Sequence, residues 1–234
     1  MEVTPDLLSV FPLLRPLPPA TLTRLASCSW VEKFSRRGIV LDPNKSEAVV
    51  CFLFEGKLQG IDFTVDGREV GLYFVDPGDF CGEAALFDDL ARPEYVVSLA
   101  HSVAVKVPSV AIQEIMSETP SVMNLLGNKL ATRIRQLTFQ RSLLAIPNVQ
   151  QRVCCQLWML CKDLKAMEET SAVGIVNPPT HLEIANMLSV SRESVTRVFQ
   201  TLQNRQIVRR SGPSLLSVLD AKQLKNLAEG NEPL

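Results

Sequence analysis

Residues 180–204 read THLEIANMLSVSRESVTRVFQTLQN, and the fold is decided there. Thr180 followed three positions later by Glu183 is a capping box, in which each side chain satisfies an orphan amide of the other's backbone. It opens a short helix running to about Leu188. Ser189-Val190 supplies a turn, Ser191 is a second N-cap, and a second helix is expected from Arg192 to about Asn204. With Arg192 set at 0° and 100° per residue, Thr196 falls at about 40°, Glu193 at about 100° and Arg197 at about 140°. Val195, Val198, Phe199 and Leu202 gather between about 240° and 340°, so one face packs inward and the other stays polar. That polar face lies in the first two turns, where a recognition helix meets base edges. Arginine can bond guanine O6 and N7 together, and a carboxylate can accept from cytosine N4. Arg192, Glu193, Thr196 and Arg197 are therefore the candidate base readers. Taken alone, Glu193 and Arg197 also fit an ordinary i,i+4 surface pair worth ~0.2 to 0.5 kcal/mol.

The flanks favour the first reading. Gln206 to Arg210, the turn Ser211-Gly212-Pro213-Ser214 and the apolar run Leu215 to Leu219 add a wing to the two helices. Arg205, Arg209 and Arg210 at that wing, with the helix-cap residues Thr180 and Ser191, are the candidate phosphate contacts, which position a protein without reading sequence. Upstream, Asn177-Pro178-Pro179 is a rigid extended entry, Lys165 to Gly174 reads as a polar loop, and Val149 to Leu164 reads as a packing helix capped by Asn148.

Further upstream, Met116, Met123, Leu130, Leu137 and Leu144 recur every seven residues. A heptad stripe of this kind is a dimer seam, here expected from Met123, Leu126, Leu130, Ile134, Leu137 and Leu144, with Pro120 breaking the helix before its long part. A helix of some 25 residues exceeds what a domain this small needs for its own core. Pro147 ends it, and Ala145 to Asn148 is the candidate hinge.

From Val31 to about Val107 the pattern changes to short apolar segments: Val49 to Phe54, Lys57 to Phe63, Glu69 to Val75, Tyr95 to Leu99 and Ser102 to Val107. Glu55-Gly56, Asp66-Gly67 and Pro77-Gly78 punctuate them. Asp66-Gly67 predicts a type I′ hairpin turn, and several short strands at this spacing predict a barrel or jelly roll. The fold class is therefore α+β: an N-terminal β jelly roll over 1–107, a long dimerisation helix and hinge over 108–147, and a C-terminal winged helix-turn-helix over 148–234.

Composition bounds the function. The 234 residues carry 24 Lys+Arg against 25 Asp+Glu, with 46% hydrophobic residues, the balance of a globular protein with room for two cores. The charge is uneven: ten basic against eight acidic residues from Asn148 onward, fourteen against seventeen before it, so the basic excess lies toward the DNA-reading end. The apolar run Leu7 to Leu17 is interrupted by Pro12, Arg15 and Pro16, which argues against a membrane span or signal peptide and places the protein in the cytoplasm. The six cysteines form no CxxC pair and read as reduced packing thiols. Neither a catalytic constellation nor metal-ligand spacing is visible, so enzyme is the excluded class. The two histidines, His101 and His181, argue against haem.

The run Thr180-His181-Leu182-Glu183-Ile184-Ala185 to Ser191-Arg192-Glu193-Ser194-Val195-Thr196-Arg197 resembles the winged-helix signature of the cyclic-AMP receptor protein and fumarate–nitrate reduction regulator family of bacterial transcription factors. The jelly roll, long helix and winged helix follow in that family's order over nearly the full length. The resemblance implies a homodimer on double-stranded DNA with TGTGA-like half-sites read by Arg192, Glu193 and Arg197, allosteric control through the jelly roll, and RNA polymerase as a partner. Gly78-Asp79-Phe80-Cys81-Gly82-Glu83-Ala84-Ala85-Leu86-Phe87 resembles the phosphate-binding cassette of cyclic-nucleotide domains. It implies effector contacts from Gly82, Glu83 and Ala84, with Glu83 accepting from a ribose hydroxyl. The sequence departs from the cyclic-AMP pattern where an arginine and a hydroxyl residue are expected: it has Pro93-Glu94, with Arg92 displaced by one. Leu137-Thr138 stands where purine contacts are expected. Arg92, Glu94, Leu137 and Thr138 complete the candidate effector set. No resident cofactor is required. Cyclic AMP is disfavoured as the tight effector, cyclic di-GMP is the leading small-molecule candidate among cyclic nucleotides, and effector-independent action is the alternative. A non-DNA ligand-binding or protein-interaction module is the alternative of a different class.

Overall fold

A computed structural model describes residues 2–45, 47–88, 94–161, 173–212 and 214–234. The chain divides into two compact units, Met1–Gln136 and Leu137–Leu234, so the segment 108–147 is shared between them.

In the first unit two short helices, α1 (Pro5–Ser9) and α2 (Pro19–Cys28), precede eight strands: β1 Trp30–Phe34, β2 Ile39–Leu41, β3 Val49–Glu55, β4 Leu58–Phe63, β5 Glu69–Val75, β6 Phe80–Cys81, β7 Tyr95–Ser98 and β8 Ser102–Pro108. They form two four-stranded antiparallel sheets, ordered β1-β8-β3-β6 and β2-β7-β4-β5, the jelly roll. Val49, Cys51 and Leu53 of β3 enter a core shared with Leu58, Tyr73, Val75 and Val96. Val50 and Phe52 of the same strand face a second core. That core is built from Leu8, Phe11, Leu14 and Leu25 of the N-terminal segment and from Ile112, Ile115, Val122 and Leu126 of the helices after the sheet. Burial on both faces is why β3 is continuously apolar instead of alternating. Phe11 and Phe52, and Phe52 and Phe80, pack with ring centroids 5.2 and 5.4 Å apart.

The expected type I′ turn is corrected. Gly67 donates to the Thr64 carbonyl, Thr64 donates to Arg68, and Gly67 has φ 78° while Asp66 stays at negative φ. This is a three-residue loop with glycine in the left-handed position, the next commonest hairpin solution.

Helices α3 (Ser109–Glu118) and α4 (Pro120–Leu144) follow, with Pro120 opening the second as expected of a residue that cannot continue the first. Met116 lies on α3 and packs on the unit's own core. Leu126, expected in the dimer seam, is fully buried in that core, so the seam is corrected there. It shares the buried face of α4 with Val122, Lys129 and Arg133. Met123, Ile134, Leu137 and Leu144 remain exposed, Ile134 most of all at 64%, and Leu130 is half-buried.

In the second unit, α5 (Val149–Leu160) is capped by the Asn148 side chain, which accepts from Gln150 N at 2.9 Å. It is followed by β9 (Val173–Val176), α6 (His181–Leu188), α7 (Arg192–Asn204), β10 (Val208–Ser211), β11 (Leu215–Val218) and α8 (Ala221–Glu229). The strands form an antiparallel sheet in the order β10-β11-β9. The loop expected over Lys165–Gly174 is corrected at its end: Val173 and Gly174 pair with Val218 and Ser217. Residues 162–172 lie outside the described residues, as do Arg92 and Pro213. Among the described residues no helix is long and apolar enough to cross a membrane.

Candidate nucleic-acid interface and nucleotide cassette

The capping box at the entrance to α6 is formed: Thr180 N donates to Glu183 Oε2 at 2.8 Å and Glu183 N donates to Thr180 Oγ1 at 3.3 Å. Ser189 closes α6 in the left-handed region at φ 51°, and Val190 N returns to the Ala185 carbonyl at 3.1 Å. Ser191 then caps α7 by accepting from Ser194 N at 3.1 Å. The sharp turn fixes the angle at which α7 leaves α6. Val195, Val198, Phe199 and Leu202 are buried, as the helical phase requires.

On the opposite face Arg192, Glu193, Thr196 and Arg197, joined by Gln200, line an open hollow of about 290 Å³. Glu193 and Arg197 form no ion pair with each other among the described residues, so the ordinary i,i+4 surface pair is not what this spacing builds. Thr196 differs from its neighbours. Its hydroxyl bonds the Arg192 carbonyl at 2.9 Å and lies 2.9 Å from Nδ1 of His181, whose ring packs 4.4 Å from that of Phe199. The hydroxyl expected at base edges is thus turned back into the protein. Nothing in the local sequence spacing signals the His181 contact, whereas at 100° per residue Gln200 lies on the Arg192 face and was legible from helical phase. Burial, then the positive charges of Arg210 and Arg192, hold the His181 pKa below its usual 6.5.

Of the candidate phosphate contacts, Arg209 is exposed on β10, Arg205 donates to the Pro233 carbonyl at 3.3 Å, and Arg210 donates to the Gly212 carbonyl at 3.3 Å. The thiols in this unit are packing groups, with burial pushing Cys154 up to about 12 and Cys161 up to about 11.

Within the jelly-roll cassette, Gly82 adopts φ 85° and approaches Val49 so closely that a Cβ would lie 2.7 Å from its carbonyl oxygen. One turn of 3₁₀ helix, Glu83–Leu86, follows. Glu83 is buried, and its Oε1 accepts from Nε of Arg133 on α4 at 3.2 Å. One helical turn earlier, Lys129 bridges Asp79 and lies 5.5 Å from the centre of the Phe80 ring. Two cations four apart on α4 thus meet two carboxylates four apart on the cassette. Their spacing was visible in the sequence, on the flank of α4 that also carries Leu126. Glu94 accepts a 2.6 Å hydrogen bond from the Tyr73 hydroxyl. Ala84 sits in the 3₁₀ turn, and Leu137 and Thr138 are exposed residues of the second unit.

A β jelly roll with this cassette, followed by a long helix and a winged helix, defines a DNA-binding transcription regulator with a cyclic-nucleotide-type domain. The comparisons name the family. Residues 31–119 match the cyclic nucleotide-binding domain and residues 151–227 match the Crp-like helix-turn-helix domain. The chain belongs to the cyclic-AMP receptor protein and fumarate–nitrate reduction regulator family, whose members are transcription regulators and not enzymes. It is similar to the cAMP-activated global transcriptional regulator CRP of Pasteurella multocida, 24% identical over 197 residues covering 84% of this chain and 93% of that protein. It is also similar to the cAMP-activated regulator Vfr of Pseudomonas aeruginosa, 26% identical over 196 residues covering 82% and 90%. Among solved structures, FixK2 from Bradyrhizobium japonicum matches with a TM-score of 0.73 at 18% identity over 85% of this chain and 96% of that one. The c-di-GMP responsive regulator CLP of Xanthomonas campestris matches with a TM-score of 0.66 at 22% identity over 87% and 99%. These two likenesses carry the fold.

Proposed function

We propose that this protein is a homodimeric, cytoplasmic, sequence-specific transcription regulator that reads TGTGA-like half-sites and meets RNA polymerase at the promoter. The observation that carries this reading is the hollow on α7, where Arg192, Glu193 and Arg197 present a bidentate donor, an acceptor and a second bidentate donor on one exposed face. Arg209, Arg205 and Arg210, with the caps Thr180 and Ser191, supply the phosphate contacts. The exposed row Met123, Ile134, Leu137 and Leu144, with half-buried Leu130, supports self-pairing through α4, because an apolar row at heptad spacing finds its partner in a second copy.

Control runs through the jelly-roll domain. Cyclic mono- or dinucleotides are the effector chemistry such a domain takes. Cyclic di-GMP ranks ahead of cyclic AMP, because Pro93 stands where a phosphate-binding arginine is expected, Glu94 stands where the hydroxyl residue is expected, and a like charge at about 4 Å costs about 1 to 4 kcal/mol. A second reading, DNA binding with no effector, is favoured by the internal engagement of both Glu83 and Glu94. Selection of bound sequences from a random DNA pool tests the main reading. It should recover paired TGTGA-like halves with centres about one helical turn, ~34 to 36 Å, apart, and enrichment of an unpaired or unrelated motif would defeat it.

A further inference from the structure

We infer that Tyr73 determines what the jelly-roll site accepts: its ring is the site's own occupant, held by Arg133, Glu94 and Gly60, and it excludes a cyclic nucleotide. This rests on the effector-independent form of the function above. Tyr73, on β5, faces Gly60 on β4 across their antiparallel register. A Cβ on Gly60 would lie 2.6 Å from two carbons of the Tyr73 ring, so the ring fills the space that a side chain at position 60 would need. The guanidinium of Arg133 lies 3.3 Å from the ring centre, a cation over an aromatic face with both side chains buried. The same Arg133 donates through Nε to Glu83, the acceptor that the cassette resemblance assigns to a ribose hydroxyl. The hydroxyl end of the ring donates to Glu94, the carboxylate standing where a phosphate-binding residue is expected. Tyr73 is only 6% exposed, and burial followed by the nearby Glu94 charge keeps the phenol protonated as a donor.

One ring thus touches the groups that a nucleotide would need. To enter, a ligand must displace the ring, part Arg133 from Tyr73 and Glu83, and place its phosphate beside carboxylates. Glu83 Oε2 and both terminal nitrogens of Arg133 are buried without a hydrogen-bond partner, so they are the polar atoms a ligand would reach once the ring had moved.

Calorimetry on the purified full-length protein reads the site without DNA, using cyclic AMP, cyclic di-GMP and p-cresol, which is the tyrosine side chain as a free molecule. Wild type should give no saturable heat with either nucleotide up to about 1 mM, and its DNA affinity should change by less than about twofold when either is added. Tyr73→Ala should bind p-cresol, with a matching rise in thermal midpoint that wild type does not show. Tyr73→Phe keeps the ring and should behave as wild type toward p-cresol, which preserves the test should the alanine variant fail to fold. Micromolar binding of either nucleotide to wild type, or equal p-cresol binding by wild type and Tyr73→Ala, would overturn the inference. A wild type that selects no DNA overturns the transcription reading instead, and the calorimetry still decides the role of Tyr73.

Discussion

The recognition helix and the cassette are made from the same two charged residue types and put them to opposite uses. On α7, Arg192, Glu193 and Arg197 stand in water around an open hollow. In the jelly roll, Arg133 and Glu83 are withdrawn from water and spent on each other and on Tyr73. A hydrated charge adds little to folding and remains available to a partner. A buried charge is tolerated only when matched, and once matched it resists exchange. On the proposed function, the α7 face owes its specificity to hydrated donors and acceptors, whereas in the jelly roll Arg133, Glu83 and Tyr73 engage one another and leave Glu83 Oε2 and both terminal nitrogens of Arg133 buried without a hydrogen-bond partner.

The largest effect expected from that contrast is on stability. Glu83→Gln strips the counter-charge from a buried arginine and should destabilise the protein by about 3 to 5 kcal/mol. Glu193→Gln, on an exposed helix face, should stay within about 0.5 kcal/mol of wild type. Denaturant unfolding of both variants makes the comparison, and equal stabilities would show that the Arg133–Glu83 pair is not a structural element.

A smaller effect separates residues within the DNA-binding unit. Arg192→Ala, Glu193→Ala and Arg197→Ala should each cost about 1 to 3 kcal/mol of DNA affinity and relax preference at one base pair. Arg209→Ala should weaken all sequences alike and lower the slope of log affinity against log salt by about one unit. Binding profiles over single-base variants of the selected site distinguish the two groups. Identical profiles for all four variants would erase the division between reading and positioning.

How legible each region was in the sequence follows from the range of its interactions. The capping box, the αL turn at Ser189 and the buried face of α7 are set by neighbours within a few residues, so local spacing was enough to place them. The Asp66-Gly67 hairpin was recognised, but its loop length was not, because one residue more or less in the pairing is decided by the strands it joins. Leu126 was misassigned to the seam because heptad spacing cannot tell a partner helix from the chain's own sheet. Strand β9 was missed because its four residues find their partner some forty positions away, in β11. The Tyr73 circuit draws on residues from β4 to α4, and no local pattern announces it. Its one sequence signal was the Lys129 and Arg133 spacing, on a face where apolar residues would otherwise be expected.

The smallest effect expected is a pH dependence confined to the winged helix, and it tests whether His181 belongs with the buried circuit or the open face. Its Nδ1 meets Thr196 Oγ1, its ring packs on Phe199, and Arg192 and Arg210 place positive charge nearby. Burial first and those charges second lower its pKa below 6.5, so between 6.5 and the lowered value the unfolded chain binds more protons than the folded one. Stability should therefore be complete above pH 6.5 and fall as the pH drops through that window, the direction for a histidine kept neutral by its surroundings. His181→Gln keeps a polar group near Thr196 and removes the titration. The thermal midpoint of wild type should drop more than that of His181→Gln between about pH 7.5 and 5.5, since histidine alone among unperturbed side chains titrates there. Parallel curves for the two proteins would place His181 with the solvated residues of the recognition helix, and the turned-back Thr196 hydroxyl would then owe its position to the Arg192 carbonyl alone.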